Sequence, residues 1–475
     1  MHLPIFTIKE ELFMESVSLA KRKLGVINIA GITIAGIFSL RTLPLMAQYG
    51  VTAITLYIIA ALFYFIPSAL ICAELATGWP KTGGVYVWIR EAFGERLGFL
   101  GIWLEWVNNV IALPSALTFM AVMLTYIVAP DLAQSKIYMM SMILVFLWGI
   151  IFINFLGIKI SGTFSTIGLI LGTLIPCTIL VIAACTWLVK GHPSDVIFSW
   201  SALVPHLHLG NLAFLTGLTL GFAGMQVSAF HAQETINPQR DFPRAILITV
   251  IVILGISIAG SLAIAILLPH NQISLVSGII DTAILFLNYF HLGFLIPVAA
   301  ACLLLGSLAS LNTWVIGPSK GLLATAEYGS LPAYFARRNR YGAPTTILIW
   351  QGIIGTILAL LYLFIKNVNS FFWLLIALSA LMTLLMDMLL FASAIRLRYK
   401  KPDVHRAYRI PGGFFGVWLV AGVALITCAI AFVIAFLPPS SLNYAYRDFY
   451  TLFLVVGIII FVTLALLLAK TNRNK

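Results

Sequence analysis

Runs of about 20 predominantly apolar residues recur along the whole chain, each long enough to cross the hydrocarbon core of a bilayer as a helix. Lipid offers no partner to a bare backbone N–H or C=O, so such runs must satisfy their own hydrogen bonds. The spacing predicts helices at 24–49, 53–77, 97–128, 137–156, 160–189, 209–233, 244–269, 284–316, 345–365, 370–395, 414–437 and 448–469. Hydrophobic residues make up 61% of the chain and charged residues 9%, whereas a soluble domain carries about 25% charged residues. The longest stretches between runs, 78–96, 190–208 and 396–413, are too short to build a separate soluble core. The expected fold class is therefore an all-α integral membrane protein, twelve transmembrane helices in a single domain over 1–475. No small-residue cleavage site follows the first run, so that run is expected to stay in the protein.

The formal net charge is +12, a value that could suggest nucleic acid, but the placement of the charges says otherwise. With the N-terminus inside, 23 of the 28 Lys and Arg residues fall in inner segments, 4 in outer loops, and Arg41 alone within a helix. That asymmetry is the positive-inside pattern, which places both termini, including residues 1–23, in the cytoplasm. Lys159 and the basic cluster Arg396 to Lys401 read as anchors at the inner leaflet. The partner expected is thus the lipid bilayer, with no nucleic acid. Cys72, Cys177, Cys185, Cys302 and Cys428 lie in or beside apolar runs and form no CxxC pair, which fits small buried side chains. His206 and His208 share an outer loop. No metal site and no cofactor is expected.

Two helices carry internal glycines. The first reads NIAGITIAGIF, with Gly31 and Gly36; the sixth reads LTGLTLGFAGMQVSAF, with Gly217, Gly221 and Gly224. Five helices apart, they cross the membrane in opposite directions. Glycine-interrupted helices at corresponding places in two halves point to a midplane binding site. Unwinding frees N–H and C=O groups that a zwitterion can satisfy. The competing reading is close packing of helices through small residues.

Four stretches resemble the amino acid–polyamine–organocation transporters: AGIFSLRTLP (35–44), AELATGWPKTGGVYVW (73–88), NPQRDFPRA (237–245), and the region 304–344 with GPSKGLL and LPAYFARRNRYGAP. LLGSLASLNTWVIGPSKG, IPGG (410–413) and AFLPP (435–439) are most similar to the bacterial glutamate/GABA antiporter branch. The resemblance implies a five-plus-five inverted repeat, with 24–190 as the first repeat, 209–398 as the second, and two extra helices over 414–470. It also implies alternating access, an amino-acid substrate, a bacterial inner-membrane location, and a monomer or homodimer. Carried over residue by residue, the first-helix break maps to Ile32, Thr33, Ala35 and Gly36, and the sixth-helix break to Leu220, Phe222, Ala223 and Gly224. The eighth-helix pocket wall maps to Ser310 and Asn312. Phe222 either closes over the ligand or packs in the core. The chain departs from the pattern it resembles at Gln226, where related antiporters often place a glutamate, and at Ser310, where the glutamate antiporter has a carboxylate. An amide does not titrate, so a low-pH trigger at those positions is not expected.

The other intramembrane charges are hypotheses of function by default. Arg41 either attracts an acidic side chain and gates the outer path, or snorkels to the surface. Glu105 and Asp387 are candidate proton carriers or helix-packing partners; His231 is a candidate pH sensor or an ordinary helix-end residue. Glu74 is expected to order the following loop, with Lys81 as its partner. An intramembrane enzyme would need converging catalytic groups, and the carboxylates here are scattered. A channel would need rings of polar residues. The expectation is a transporter, an exchanger of acidic or neutral amino acids including glutamate/GABA, with proton symport and an amino-acid-sensing transceptor as the alternatives.

Overall fold

A computed structural model describes residues 24–81, 83–156, 167–205, 218–219, 221–227, 235–364, 368–438 and 447–471. Leu220 and His231 lie outside these residues, as does the side chain of Arg41. The described chain is nearly all helical, and nine of its helices are long and apolar enough to cross a membrane.

The first span is interrupted. Helix α1 (Val26–Ile37) stops where Phe38 and Ser39 turn extended. A single 3-10 turn, Leu40–Thr42, then leads into the short helix α2 (Leu43–Ala47), with Pro44 in its first turn. The break thus falls just beyond Gly36, and Gly31 sits inside regular helix.

Then follow α3 (Thr52–Gly78), α4 (Val85–Phe93), α5 (Glu95–Val128), α6 (Lys136–Phe155) and α7 (Ile167–Val189). Both α3 and α7 contain a π turn, Ala61–Phe65 and Ile170–Leu174. Each π turn lies just ahead of a proline, Pro67 and Pro176. A proline lacks the N–H for the i−4 carbonyl and its ring crowds that carbonyl. Widening the preceding turn relieves both problems while the helix continues.

The second half holds α8 (Pro238–Leu267), α9 (Gly278–Tyr289), α10 (Ile296–Glu327), α11 (Thr345–Leu360), α12 (Val368–Lys400), α13 (Gly413–Ile434) and α14 (Arg447–Thr471). A helix therefore stands at eleven of the twelve expected spans; of the sixth only 218–219 and 221–227 are described. Two boundaries need correction. The eighth span is not 284–316 but α10, with α9 a separate short helix before it. The stretch 78–96, expected as a loop, contains α4.

Helices α5 and α12 are buried around most of their circumference and pack on each other; α14 is buried on little of its own and faces outward. Helix α10 also packs on α5, and α8 packs on α1, α3 and α7. Where α7 meets α10 the backbones nearly touch: a Cβ on Gly172 would lie 2.1 Å from the Gly306 nitrogen. Small residues permit this approach.

The ends of α3 and α12, with α4, form a basic face. Glu74 is buried there and accepts from Arg398 Nε at 2.5 Å and Nη2 at 2.7 Å, and from the Ile410 N–H at 2.9 Å. Arg406, buried over the Trp79 ring at 4.9 Å, brings its Nε to 3.5 Å from the same carboxylate. The partner of Glu74 is thus Arg398 with Arg406, not Lys81. A bidentate guanidinium fits two carboxylate oxygens, and an ammonium does not. Beside this cluster, the Lys401 ammonium bonded to Glu91 holds that carboxyl below the usual carboxylate range.

Candidate binding site

A cavity opens at the first-span break, and five elements supply its walls. Gly36, Ile37, Ser39, Thr42 and Leu45 come from the break; Asn108, Asn109, Ala112 and Ala116 come from α5. The sixth segment adds Gly221 and Ala223, α10 adds Ser307, Ser310, Leu311 and Trp314, and α12 adds Ile376 and Ser379. Leu275, between α8 and α9, covers the side away from the basic face. The cavity has a volume of about 100 Å³, enough for several waters or one small solute. Among the described residues none that lines it carries an ionisable side chain.

The break places backbone groups where a ligand can reach them. Two of its carbonyls are already engaged by α10: Ser310 Oγ donates to Ala35 O at 3.1 Å, and Trp314 Nε1 donates to Gly36 O. Ile34 O accepts from the Phe38 N–H at 2.8 Å. Among the described residues no backbone oxygen accepts from the N–H groups of Ser39 and Leu40. These two open the second half of the span, where the helix leaves donors for an anion.

The sixth segment is irregular at the same level. Gly224 has φ +116, a conformation that glycine adopts without strain. A Cβ there would come 3.0 Å from Trp314 and 3.1 Å from Ile37. A Cβ on Gly36 would meet Val227 at 3.3 Å. The two interrupted segments are therefore in contact, and glycines set their distance.

The residues expected at the site divide. Gly36, Ala223 and Ser310 line the cavity. Gly224 touches it through Trp314, and Ala35 contributes its carbonyl to Ser310. Ile32 is outside the lining, and Thr33 is buried with its hydroxyl donating to Ile29 O at 2.8 Å within its own helix. Phe222 stacks on Phe65 with centroids 4.5 Å apart and belongs to the core. Asn312 accepts from Asn154 Nδ2 on α6 at 2.9 Å and faces away from the lining. Gln226 donates to Glu105 Oε1 at 2.9 Å, and Tyr64 donates to Asp387 Oδ2 at 2.5 Å.

Sequence reasoning missed Ser39, Thr42, Asn108, Asn109, Ser307, Trp314 and Ser379. Asn108 accepts from the Ser379 hydroxyl. Asn109 is 2% exposed, and its Nδ2 has no partner in the described structure. A buried amide without an acceptor costs free energy, so it stands ready for one carried by a ligand. The pair Asn108–Asn109 inside an apolar run was the available signal.

An interrupted first span meeting an irregular sixth segment at a cavity lined by apolar side chains with a few hydroxyl and amide groups, within a bundle of membrane-length helices, is the architecture of a membrane transporter. The sequence matches the amino acid permease family over residues 24–462, and the chain belongs to that family of transporters. It is 41% identical to an uncharacterized transporter of Legionella pneumophila, over 96% of this chain and 98% of that protein. It is 28% identical to a glutamate/gamma-aminobutyrate antiporter of Lactococcus lactis, over 93% and 89% of the two chains. A probable agmatine/putrescine antiporter of the same species is 24% identical over 87% and 88%.

Proposed function

We propose that this transporter exchanges amino acids by alternating access, and that it prefers uncharged side chains. The observation that carries the reading is the described part of the cavity lining, apolar with a few hydroxyl and amide groups and, among the described residues, no ionisable side chain, with the unpartnered Asn109 Nδ2 inside it. The Ser39 and Leu40 N–H groups would receive the substrate carboxylate, and Asn109 an acceptor on its side chain, as in an amide or a hydroxyl. The basic face would lie in the cytoplasm with both termini, in the inner membrane of a bacterium, following the charge asymmetry.

Counterflow in proteoliposomes tests this. Internal glutamine, asparagine or serine is expected to accelerate entry of labelled glutamine, whereas internal lysine and putrescine leave it unchanged. Absence of stimulation by every amino acid would remove the exchange reading. Trp314→Phe deletes the donor to Gly36 O and is expected to slow exchange about tenfold, the scale of one buried hydrogen bond lost. An unchanged rate would show that this contact does not hold the break.

Glutamate/GABA exchange is the second reading. It is supported by the named relatives and by Arg41, which lies in the 3-10 turn beside Thr42. Arg41→Ala separates the two: loss confined to glutamate supports this reading, and equal loss for glutamate and glutamine removes it.

A further inference from the structure

Two carboxylates lie in the bundle outside the cavity. Glu105 on α5 is one helical turn nearer the basic face than Asn108 and Asn109. It is fully buried: Oε1 accepts from Gln226 at 2.9 Å, and Oε2 has no partner in the described structure. Asp387 on α12 is 1% exposed and accepts from Tyr64 at 2.5 Å. Their helices pack on each other, and Phe65, next to the Tyr64 that holds Asp387, stacks on Phe222 of the sixth segment that also carries Gln226.

We propose that Glu105 and Asp387 form a proton-binding site, separate from the cavity, whose loading is tied to the sixth segment through Gln226. The proposal rests on the transport reading above and names the ion that accompanies the substrate. A buried carboxylate is costly unless it is paired or neutral. Glu105 and Asp387 take part in no ion pair within the described structure. Among the described residues the titratable groups near them are Tyr64 and Cys72 on α3 and Cys428 on α13, none of them a cation at neutral pH. Lys320 on α10 has a partner of its own. On α4, Arg90 sits over Tyr86 and Tyr328, and Glu91 holds Lys401. Two buried negative charges would therefore lie uncompensated on the packed helices α5 and α12, and a proton removes one of them.

Gln226 makes the link. It belongs to the irregular stretch that also carries Ala223 into the cavity and Val227 against Gly36. A shift of that stretch on substrate passage withdraws the amide from Glu105 and changes its hold on the proton. By reciprocity, proton loading biases the segment. α5 thus brings a carboxylate within hydrogen-bond distance of the Gln226 amide.

The test uses the full chain in proteoliposomes. Counterflow of labelled glutamine at equal pH is compared with its uptake under an inward proton gradient, for the wild type, Glu105→Gln and Asp387→Asn. The wild type is expected to gain about fivefold or more from the gradient. Glu105→Gln is expected to retain counterflow and to lose the gain, its ratio falling to one. A wild type that exchanges but ignores the gradient, or a Glu105→Gln variant that gains as the wild type does, overturns the proposal. Failure of wild-type counterflow with every amino acid would instead overturn the exchange reading, and the proposal with it. If neither variant folds, a pH dye inside wild-type vesicles decides: a lumenal pH change on glutamine addition supports the site, and a constant pH overturns it.

Discussion

Glu74→Ala is expected to destabilise the protein by about 3–5 kcal/mol, the cost of removing one partner from a buried ion pair. The carboxylate is 2% exposed and takes three donors, two from Arg398 and one from the Ile410 backbone. Its removal leaves Arg398 with one backbone acceptor, Ile410 O at 3.3 Å. Arg406, 5% exposed, keeps the carbonyls of Val404, Leu397 and Lys401 and the Trp79 ring, but no counter-charge among the described residues. Glu74→Gln keeps one acceptor oxygen and is expected to fall between. Thermal melting in detergent, followed by tryptophan fluorescence, reads the order wild type, Glu74→Gln, Glu74→Ala. A melting point for Glu74→Ala equal to the wild type would show that the clamp does not hold the ends of α3 and α12 together.

Gly172→Leu is expected to abolish the monodisperse folded protein. At that position the neighbour is backbone: Gly306 N at 2.1 Å, Gly306 Cα at 2.3 Å and Cys302 O at 2.5 Å from a Cβ. Overpacking against movable side chains costs about 1–3 kcal/mol; here two helices must separate along their seam. Gly149→Leu, where a Cβ meets nothing within 4 Å, is the control and is expected to leave the elution profile unchanged. A Gly172→Leu protein that elutes and melts like the control would mean that α7 and α10 do not approach as described.

The bundle was legible in the sequence because membrane-length apolar runs leave only helices to form. The family was legible in the motifs around residues 35–44, 73–88 and 237–245. What was misread has local causes. The eighth span is placed too early because 284–305 is strongly apolar apart from Asn288 and His291, whereas α10 from residue 307 onward carries Ser307, Ser310, Asn312, Ser319 and Lys320. The first break falls inside the stretch 35–44, which the resemblance marks, but beyond Gly31 and Gly36, because glycine only permits a break. The chain leaves the helix at Phe38 and Ser39, and α10 ties down the preceding carbonyls from outside. That tie is tertiary and has no local signature. The cavity lining was half missed because the carry-over followed family positions along α1, the sixth segment and α10, while α5 and α12 supply Asn109 and Ser379. The Glu74 clamp was misassigned because its true partners are more than 300 residues away in sequence.

The π turn at Ala61–Phe65 has a consequence for how this protein can change over time. One extra residue in a turn rotates everything beyond it by about 100° relative to an unbroken α-helix. Residues 52–60 and 66–78 of α3 are therefore out of phase with each other. Tyr57, before the turn, reaches Ser261 on α8. Glu74, after it, reaches Arg398 on α12. Tyr64 and Phe65, within it, reach Asp387 and Phe222. Deleting a single residue here would restore a regular helix and turn one of these two sets of contacts away from its partners. Length in this segment is consequently under stricter constraint than residue identity, and lineages of this chain should show substitutions in α3 far more readily than insertions or deletions.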